Sequence, residues 1–278
     1  MNTKDLKRRI SSVKETAKIT NAVYLISAAK MRRAKEKFLS ANVFLEEVSA
    51  SANHLMSSLE TKTHPFFQQR EGNRAAYVVI GADKGLCGDY NQLIINASDE
   101  SMRNKKITNL FAVGAVVKEY YDKKEGIDVD NSYVNIFPDP MPDDARAIAE
   151  DLCADFKAEK MDRAFIIYTM ADKLSQQKIA IKKILPLEIL DDTEEINYIS
   201  PGDTLEKALI QYVGARVYQA LCSASYAENF KRMVSMQEAT SNSKKIIDTL
   251  QKKYNHERQE SITNALLDAM TTNMSRNY

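Results

Sequence analysis

Glycine and proline are missing from both ends of this chain. All 8 glycines and all 6 prolines fall between Pro65 and Gly214, so residues 1–64 and 215–278 contain neither. In a helix interior Pro costs about 3 kcal/mol and Gly about 1 kcal/mol relative to Ala. Two runs of this length without either residue predict two long helices. The apolar period agrees. From Leu6 the steps alternate four and three: Leu6, Ile10, Val13, Ala17, Thr20, Tyr24, Ser27, Met31, Ala34, Phe38, Ala41, Leu45, Val48, Ala52, Leu55 and Leu59. This 3.5-residue repeat is a coiled-coil seam. Its many small residues let a partner helix come close. Met233, Met236, Thr240, Ser243, Ile247, Leu250 and Tyr254 repeat the period near the other end. Upstream, Pro201-Gly202-Asp203 reads as a helix start, with Asp203 and Thr204 as cap and Glu206 as the capping-box carboxylate. The second helix is expected from about Asp203 to about Thr272.

Between the two runs the pattern changes. Residues 75–81 (AAYVVIG), 107–114 (ITNLFAVG), 133–137 (YVNIF) and 164–170 (AFIIYTM) are short apolar runs that read as buried strands. Residues 178–187 alternate and contain Pro186, which marks an edge strand. Helical stretches fall near residues 90–102, 116–124 and 144–160. Strand–helix alternation with near-continuous apolar strands predicts a mainly parallel sheet covered on both faces. The expected fold class is therefore α/β, a long antiparallel coiled coil of N- and C-terminal helices with an inserted Rossmann-like domain. The expected divisions are 1–60, 61–200 and 201–278. A chain that leaves one helix, folds a domain and returns on another must run its helices antiparallel. The second helix is the longer, so its tip, with Ile262, Leu266 and Met270, overhangs by roughly 20 Å. Uncovered apolar surface of this kind marks a binding site.

Charge divides the chain in the same places. The net charge is +1 overall, but residues 1–60 carry 11 Lys+Arg against 6 Asp+Glu. Residues 19–29 (ITNAVYLISAA) contain no charge and are apolar on nearly every face, as in a helix enclosed by other protein. Basic residues flank this belt on both sides. Electrostatic contact with an acidic protein surface is one reading of them, and a solvated helix face is the other. Neither run resembles a nucleic-acid recognition motif. No segment approaches the roughly 20 apolar residues that span a bilayer. The opening MNTKDLKRRI lacks the apolar stretch of a signal peptide. Cys87, Cys153 and Cys222 have no CxxC spacing and read as reduced, buried thiols. With His54, His64 and His256 they form no metal-ligand pattern.

The turn GADKGLCGDYN at residues 81–91 follows a strand and opens a helix, where backbone N–H groups can hold phosphate. It matches neither G-x-x-x-x-G-K-[ST] nor G-x-G-x-x-G, and the second strand does not end in a suitable acidic residue. The simpler reading is a tight strand-to-helix turn with Cys87 packed inside.

Four motifs in order resemble the gamma subunit, the central rotor shaft, of F-type ATP synthases. They are LKRRISSVKETAKITNAVYLISAAKMRRA, the GLCG-containing turn, ILPL at residues 184–187, and RMVSMQEATSNSKKIIDTLQKKYNHERQESIT at residues 232–263. The chain differs from the family at AVYLI (22–26), where a Met-rich AMxMV is usual. It differs again after Thr263, where NALLDAMTTNMSRNY replaces a pattern like xELxEIxxGA. The cysteine pair of the chloroplast redox switch is not visible. The resemblance implies a subunit that performs no chemistry itself and carries no cofactor. Its partners would be the alpha and beta subunits of a catalytic ring, an epsilon-type subunit and a membrane rotor ring. It would sit peripherally on the cytoplasmic face of a bacterial inner membrane. By resemblance, Arg258, Gln259 and Thr263 fall where the shaft meets catch loops of the ring. Arg8, Arg9, Lys18, Lys30, Arg32 and Arg33 are candidate ionic contacts with acidic loops. The alternatives are a Rossmann-like nucleotide-binding enzyme with a helical dimerisation stem, and a free-standing coiled-coil adaptor.

Overall fold

The computed structural model describes residues 3–56, 64–130, 133, 136, 139–171, 178–188 and 202–276. Side chains are described for all of these except 53–56, 202–204 and 271–276. The first helix, α1, spans Thr3–Met56, and the last, α5, spans Gly202–Arg276. The chain divides into two compact units, Met1–Ile26 with Met233–Tyr278, and Ser27–Arg232.

The smaller unit is a pair of antiparallel helical segments. Seam residues Leu6 and Ile10 of α1 are buried, and Val13, Ala17, Thr20 and Tyr24 are half-buried. On α5, Met236 and Ser243 are buried, and Met233, Thr240, Ile247, Leu250 and Tyr254 are half-buried. The hydroxyls of Thr20 and Thr240 meet at 2.7 Å. Lys7 and Ile10 line one cavity with Gln251, Tyr254 and Asn255. These two pairings, low numbers against high, fix the antiparallel sense. The seam carries polar or small side chains at several levels, so its apolar burial per turn is modest.

The larger unit contains the C-terminal part of α1, the N-terminal part of α5 and the inserted domain. Within it the α1 seam continues through Ser27, Ala34, Ala41 and Ala52, all buried. The Asn42 side-chain oxygen accepts from Gln219 at 2.9 Å, and Phe38 packs on Tyr226 with ring centroids 6.1 Å apart. The sheet comprises β1 (Arg74–Ile80), β2 (Lys106–Val113), β3 (Val129–Asp130), β4 (Arg163–Thr169) and β5 (Ile179–Leu185), in the order β3-β2-β1-β4-β5. The first four are parallel, and β5 runs antiparallel to β4 at the edge. Helices α2 (Tyr90–Met102), α3 (Ala115–Tyr121) and α4 (Pro142–Lys157) supply the crossovers.

Both faces of β1 are buried, which is why its sequence reads as a continuous apolar run. Ala76, Val78 and Ile80 face a core with Ile148, Leu152 and Phe156 of α4 and Leu209, Val213 and Leu221 of α5. Ala75, Tyr77 and Val79 face the other core, with Tyr90 and Ile94 of α2 and Val117 and Tyr121 of α3.

One local expectation changes. The run YVNIF does not supply the third strand; β3 is Val129–Asp130 instead. Tyr133 lies in a turn, its ring 5.9 Å from that of Phe111 and its hydroxyl bonded to Asp151, while residues 134, 135 and 137 lie outside the described residues. A buried aromatic at a strand edge gives the same sequence signal as a strand. At the start of α5 the side chains of Asp203 and Thr204 lie outside the described residues. Glu206 accepts an ion pair from Lys157 of α4 at 2.8 Å.

Candidate functional site

In an open parallel sheet, ligands bind beyond the carboxyl ends of the strands at the point where strand order reverses. Here that point lies between β1 and β4, and the chain's own groups fill it. Beyond β4, the Ala171 N–H donates to the Ser223 hydroxyl of α5 at 2.9 Å, and that hydroxyl donates to the Thr169 carbonyl at 3.1 Å. Beyond β1, the Tyr90 hydroxyl donates to the Ala224 carbonyl of α5 at 3.2 Å. Helix α5 therefore lies across the crevice.

The turn at residues 81–91 is closed in the same manner. An added Cβ on Gly114 would lie 2.4 Å from the Gly81 carbonyl oxygen, so the ends of β1 and β2 approach too closely for a side chain. Gly114 has φ 103°, which L side chains rarely adopt. The first amide of α3, Ala115 N–H, donates to the Asp83 carboxylate at 3.0 Å. The Ala82 N–H donates to the Asn91 side chain at 2.9 Å. Two of the amides at these strand ends, those of Ala82 and Ala115, are thus engaged internally. Cys87 is packed inside, as the sequence suggested, and burial raises its thiol above the usual range.

No acid–base or nucleophile set assembles elsewhere among the described residues. Cys153 and Cys222 are buried, and burial pushes their thiols up to about 12 and about 11. Such thiols are not activated nucleophiles. His64 accepts from the Phe66 N–H at 3.3 Å, at the start of a short 3-10 turn, and burial lowers its pKa. His256 is exposed on α5, and the His54 side chain lies outside the described residues. No metal-ligand cluster occurs among the described residues.

The features directed outward are on the helices. In the smaller unit, every described side chain from residue 258 to 270 is exposed. Ile262, Leu266, Leu267 and Met270 are 53%, 59%, 55% and 66% exposed. From Glu257, the last half-buried position among the described side chains, to Arg276 the helix continues for about 28 Å at 1.5 Å per residue. Arg258, Gln259 and Thr263 lie on this exposed stretch, where the Thr263 hydroxyl donates to the Gln259 carbonyl at 2.9 Å. Arg8, Arg9 and Lys18 are exposed on α1, Lys18 pairing with Glu15 at 2.9 Å. Ile19, Leu25 and Ile26 of the uncharged belt are each more than half exposed.

In the larger unit Lys30, Arg32 and Arg33 are exposed. Lys30 and Arg33 line a cavity of about 590 Å³ with Lys37, Tyr218, Cys222 and Asn229. Sequence reasoning did not identify this cavity, because α1 and α5 each supply one wall and nearly 200 residues separate them.

These features define a class: a long unequal helix pair with an inserted doubly wound domain, whose ligand crevice is filled by its own last helix. Comparison with known proteins places the chain more closely. A family model described as ATP synthase matches residues 2–272. The ATP synthase gamma chain of Alkaliphilus metalliredigens is 31% identical, with 96% of each chain covered. That of Caldanaerobacter subterraneus is 33% identical, covering 98% of this chain and 99% of its own. The chain belongs to the ATP synthase gamma chain family. Its fold is also that of a chain in the Euglena gracilis mitochondrial ATP synthase, solved as an assembly of OSCP, F1 and c-ring, with a TM-score of 0.73 at 17% identity over 98% of this chain and 94% of that one.

Proposed function

We propose that this chain is the central rotor shaft of an F-type ATP synthase. It couples ion-driven rotation of a membrane ring to ATP synthesis or hydrolysis in a catalytic head. The observation that carries this reading is the extension of α5 beyond its partner, with Ile262, Leu266 and Met270 each more than half exposed. Apolar side chains left exposed along a helix end mark a surface that other protein covers. The belt of Ile19, Leu25 and Ile26 requires a sleeve for the same reason.

The shaft performs no bond chemistry. Alternating alpha and beta subunits surround the helix pair, and the asymmetry of the pair sets each catalytic site to a different affinity as it turns. Arg258, Gln259 and Thr263 meet catch loops of the ring. Arg8, Arg9, Lys18, Lys30, Arg32 and Arg33 face acidic loops and hold them by charge more than by shape. The inserted domain, residues 61–200 between helical stems 1–60 and 201–278, is the foot that receives an epsilon-type subunit and the membrane ring. No described helix is long and apolar enough to cross a membrane. The relatives reported above are bacterial, which supports a peripheral position on the cytoplasmic face of the inner membrane.

Co-expression with the cognate ring subunits tests the proposal. The expected result is an assembled complex with ATPase activity that neither the isolated chain nor an unassembled mixture has. Failure to assemble, or ATP turnover by the isolated chain, contradicts it. The nucleotide-enzyme reading predicts ligand binding near residues 81–91. Equilibrium dialysis of the isolated chain with nucleotide checks this, and the filled crevice argues that none binds.

A further inference from the structure

The sheet and the turns at its strand ends are fastened to α5 at three levels. Arg216 donates to the Lys183 carbonyl of β5 at 2.9 Å. Seven residues on, Ser223 joins the end of β4, and Ala224 receives Tyr90. Eight residues beyond Ser223, Lys231 pairs with Asp89 at 2.8 Å, and the next residue, Arg232, reaches the turn after β1. Its Nε donates to the Gly85 carbonyl at 3.2 Å and its Nη2 to the Lys84 carbonyl at 3.0 Å. Arg232 also pairs with Glu228, one helical turn back on the same face. It is the last residue of the larger unit in sequence.

This last fastening differs from the others because it is a charge pair whose carboxylate is buried. The Glu228 side chain is 5% exposed and that of Arg232 is 14% exposed. Taking the Glu228 carboxylate out of water carries a desolvation cost that a charge partner only partly offsets, and an apolar pair of similar volume often stabilises as well or better. The pair is thus a poor device for stability alone. It is well suited to geometry: one planar guanidinium, held by Glu228, fixes two successive carbonyls at once.

The turn it holds needs holding. Leu86 has φ 65° and Gly88 has φ 62°, so the turn places a non-glycine residue in the left-handed region. That conformation costs roughly 1–2 kcal/mol for an ordinary residue and persists only where surrounding contacts enforce it. Leu86 is exposed and contributes no packing in return.

We propose that Arg232 is a positioning residue that locks the 83–89 turn of the inserted domain to α5. Torque then passes between sheet and shaft through a stiff joint and is not lost by slippage of the turn. The torque part rests on the rotor reading above.

The test uses the assembled, membrane-coupled complex with wild-type chain, Arg232→Ala or Arg232→Lys. Lys keeps the charge but cannot bridge Lys84 and Gly85 as a fork. Two quantities are read in each: amide exchange of residues 84–89, and protons pumped per ATP hydrolysed. The expected result for Arg232→Ala is at least tenfold faster exchange in the turn and at least a threefold lower pumping ratio. Hydrolysis persists, and amides of β1 and β4 exchange as in wild type. Arg232→Lys is expected to lie between the two, and it carries the test if the Ala variant does not fold. Turn exchange and pumping ratio both within twofold of wild type overturn the proposal. A loosened turn with an unchanged ratio overturns its torque part. A lowered ratio with an unchanged turn overturns the joint as the cause. If the wild-type complex neither assembles nor pumps, the rotor reading fails instead.

Discussion

The two compact units of this chain are held together by different means. In the larger, Ser27–Arg232, the sheet is sandwiched between two apolar cores, and residues such as Phe156, Tyr77 and Ile148 are wholly buried. In the smaller, α1 contributes only Leu6 and Ile10 as buried side chains, and the Thr20–Thr240 contact is a polar level in the seam. The larger unit builds two buried cores, with Leu39, Val43, Leu86 and Met141 among its exposed apolar side chains. The other leaves Ile19, Leu25, Ile26, Ile262, Leu266 and Met270 to solvent. A unit with two apolar cores folds on its own burial, and one whose apolar side chains are mostly outside offers them to other protein.

The contrast is tested first in the sheet. Phe156→Ala removes a fully buried ring from the core beside Phe66 and is expected to cost about 3–5 kcal/mol. Denaturant unfolding of the isolated chain should show the larger unit losing most of its stability. The matching change in the helix pair, Leu6→Ala, is expected to cost about 2 kcal/mol, at the low end because the site is close to a fraying helix end. Amide exchange should rise in residues 3–26 and 233–257 and stay unchanged in β1 and β4. A cost for Leu6→Ala equal to that of Phe156→Ala breaks the comparison.

A smaller effect separates the units by pH. In the larger unit Arg74 holds the Asp162 carboxyl below the usual carboxylate range, through hydrogen bonds of 2.7 and 3.2 Å, and the Arg74 N–H donates to it at 2.9 Å. A depressed carboxyl stabilises the fold above its unfolded pKa, near about 3.9, and that contribution fades as pH falls through the depressed value. Asp162→Asn is therefore expected to cost about 1–2 kcal/mol at pH 7, discounted because Arg74 is partly exposed. The difference from wild type should close as pH drops below about 4. A difference independent of pH contradicts the assignment.

The smallest effect on folding is expected from shortening the chain after Thr263. The deleted turns include Leu266 and Met270, both mostly exposed, so the melting temperature of the isolated chain should change by under about 2 °C. Coupling or torque in the assembled complex should fall severalfold. A large drop in melting temperature sharpens the comparison in the opposite direction, by showing that the tip is held by its own chain.

The features read directly from sequence were those with local causes. The missing Gly and Pro marked the helices, and all fourteen seam positions from Leu6 to Ala52 are buried or half-buried, as a 3.5-residue repeat requires. The exposed tip followed from unequal helix lengths. The strand after α3 was misplaced, because Tyr133 is apolar for packing on Phe111 and not for strand pairing. The Arg232 joint was not legible at all. Arg232 appeared only as the first letter of a helical motif, and its partners Lys84 and Gly85 lie 148 and 147 residues away. Nor does spacing reveal that Asp83 caps α3 or that α5 closes the strand-end crevice, since both depend on tertiary contacts of widely separated residues.

Rotation itself is the most direct test of the rotor reading. The cognate ring is fixed to a surface, the chain is assembled within it, and a probe is attached to the inserted domain at exposed Lys123 on the α2–α3 side of the sheet. On addition of ATP the account predicts unidirectional stepping of the probe relative to the ring, slowed when the tip beyond Thr263 is removed. ATP hydrolysis by the assembled complex with a stationary probe would contradict it.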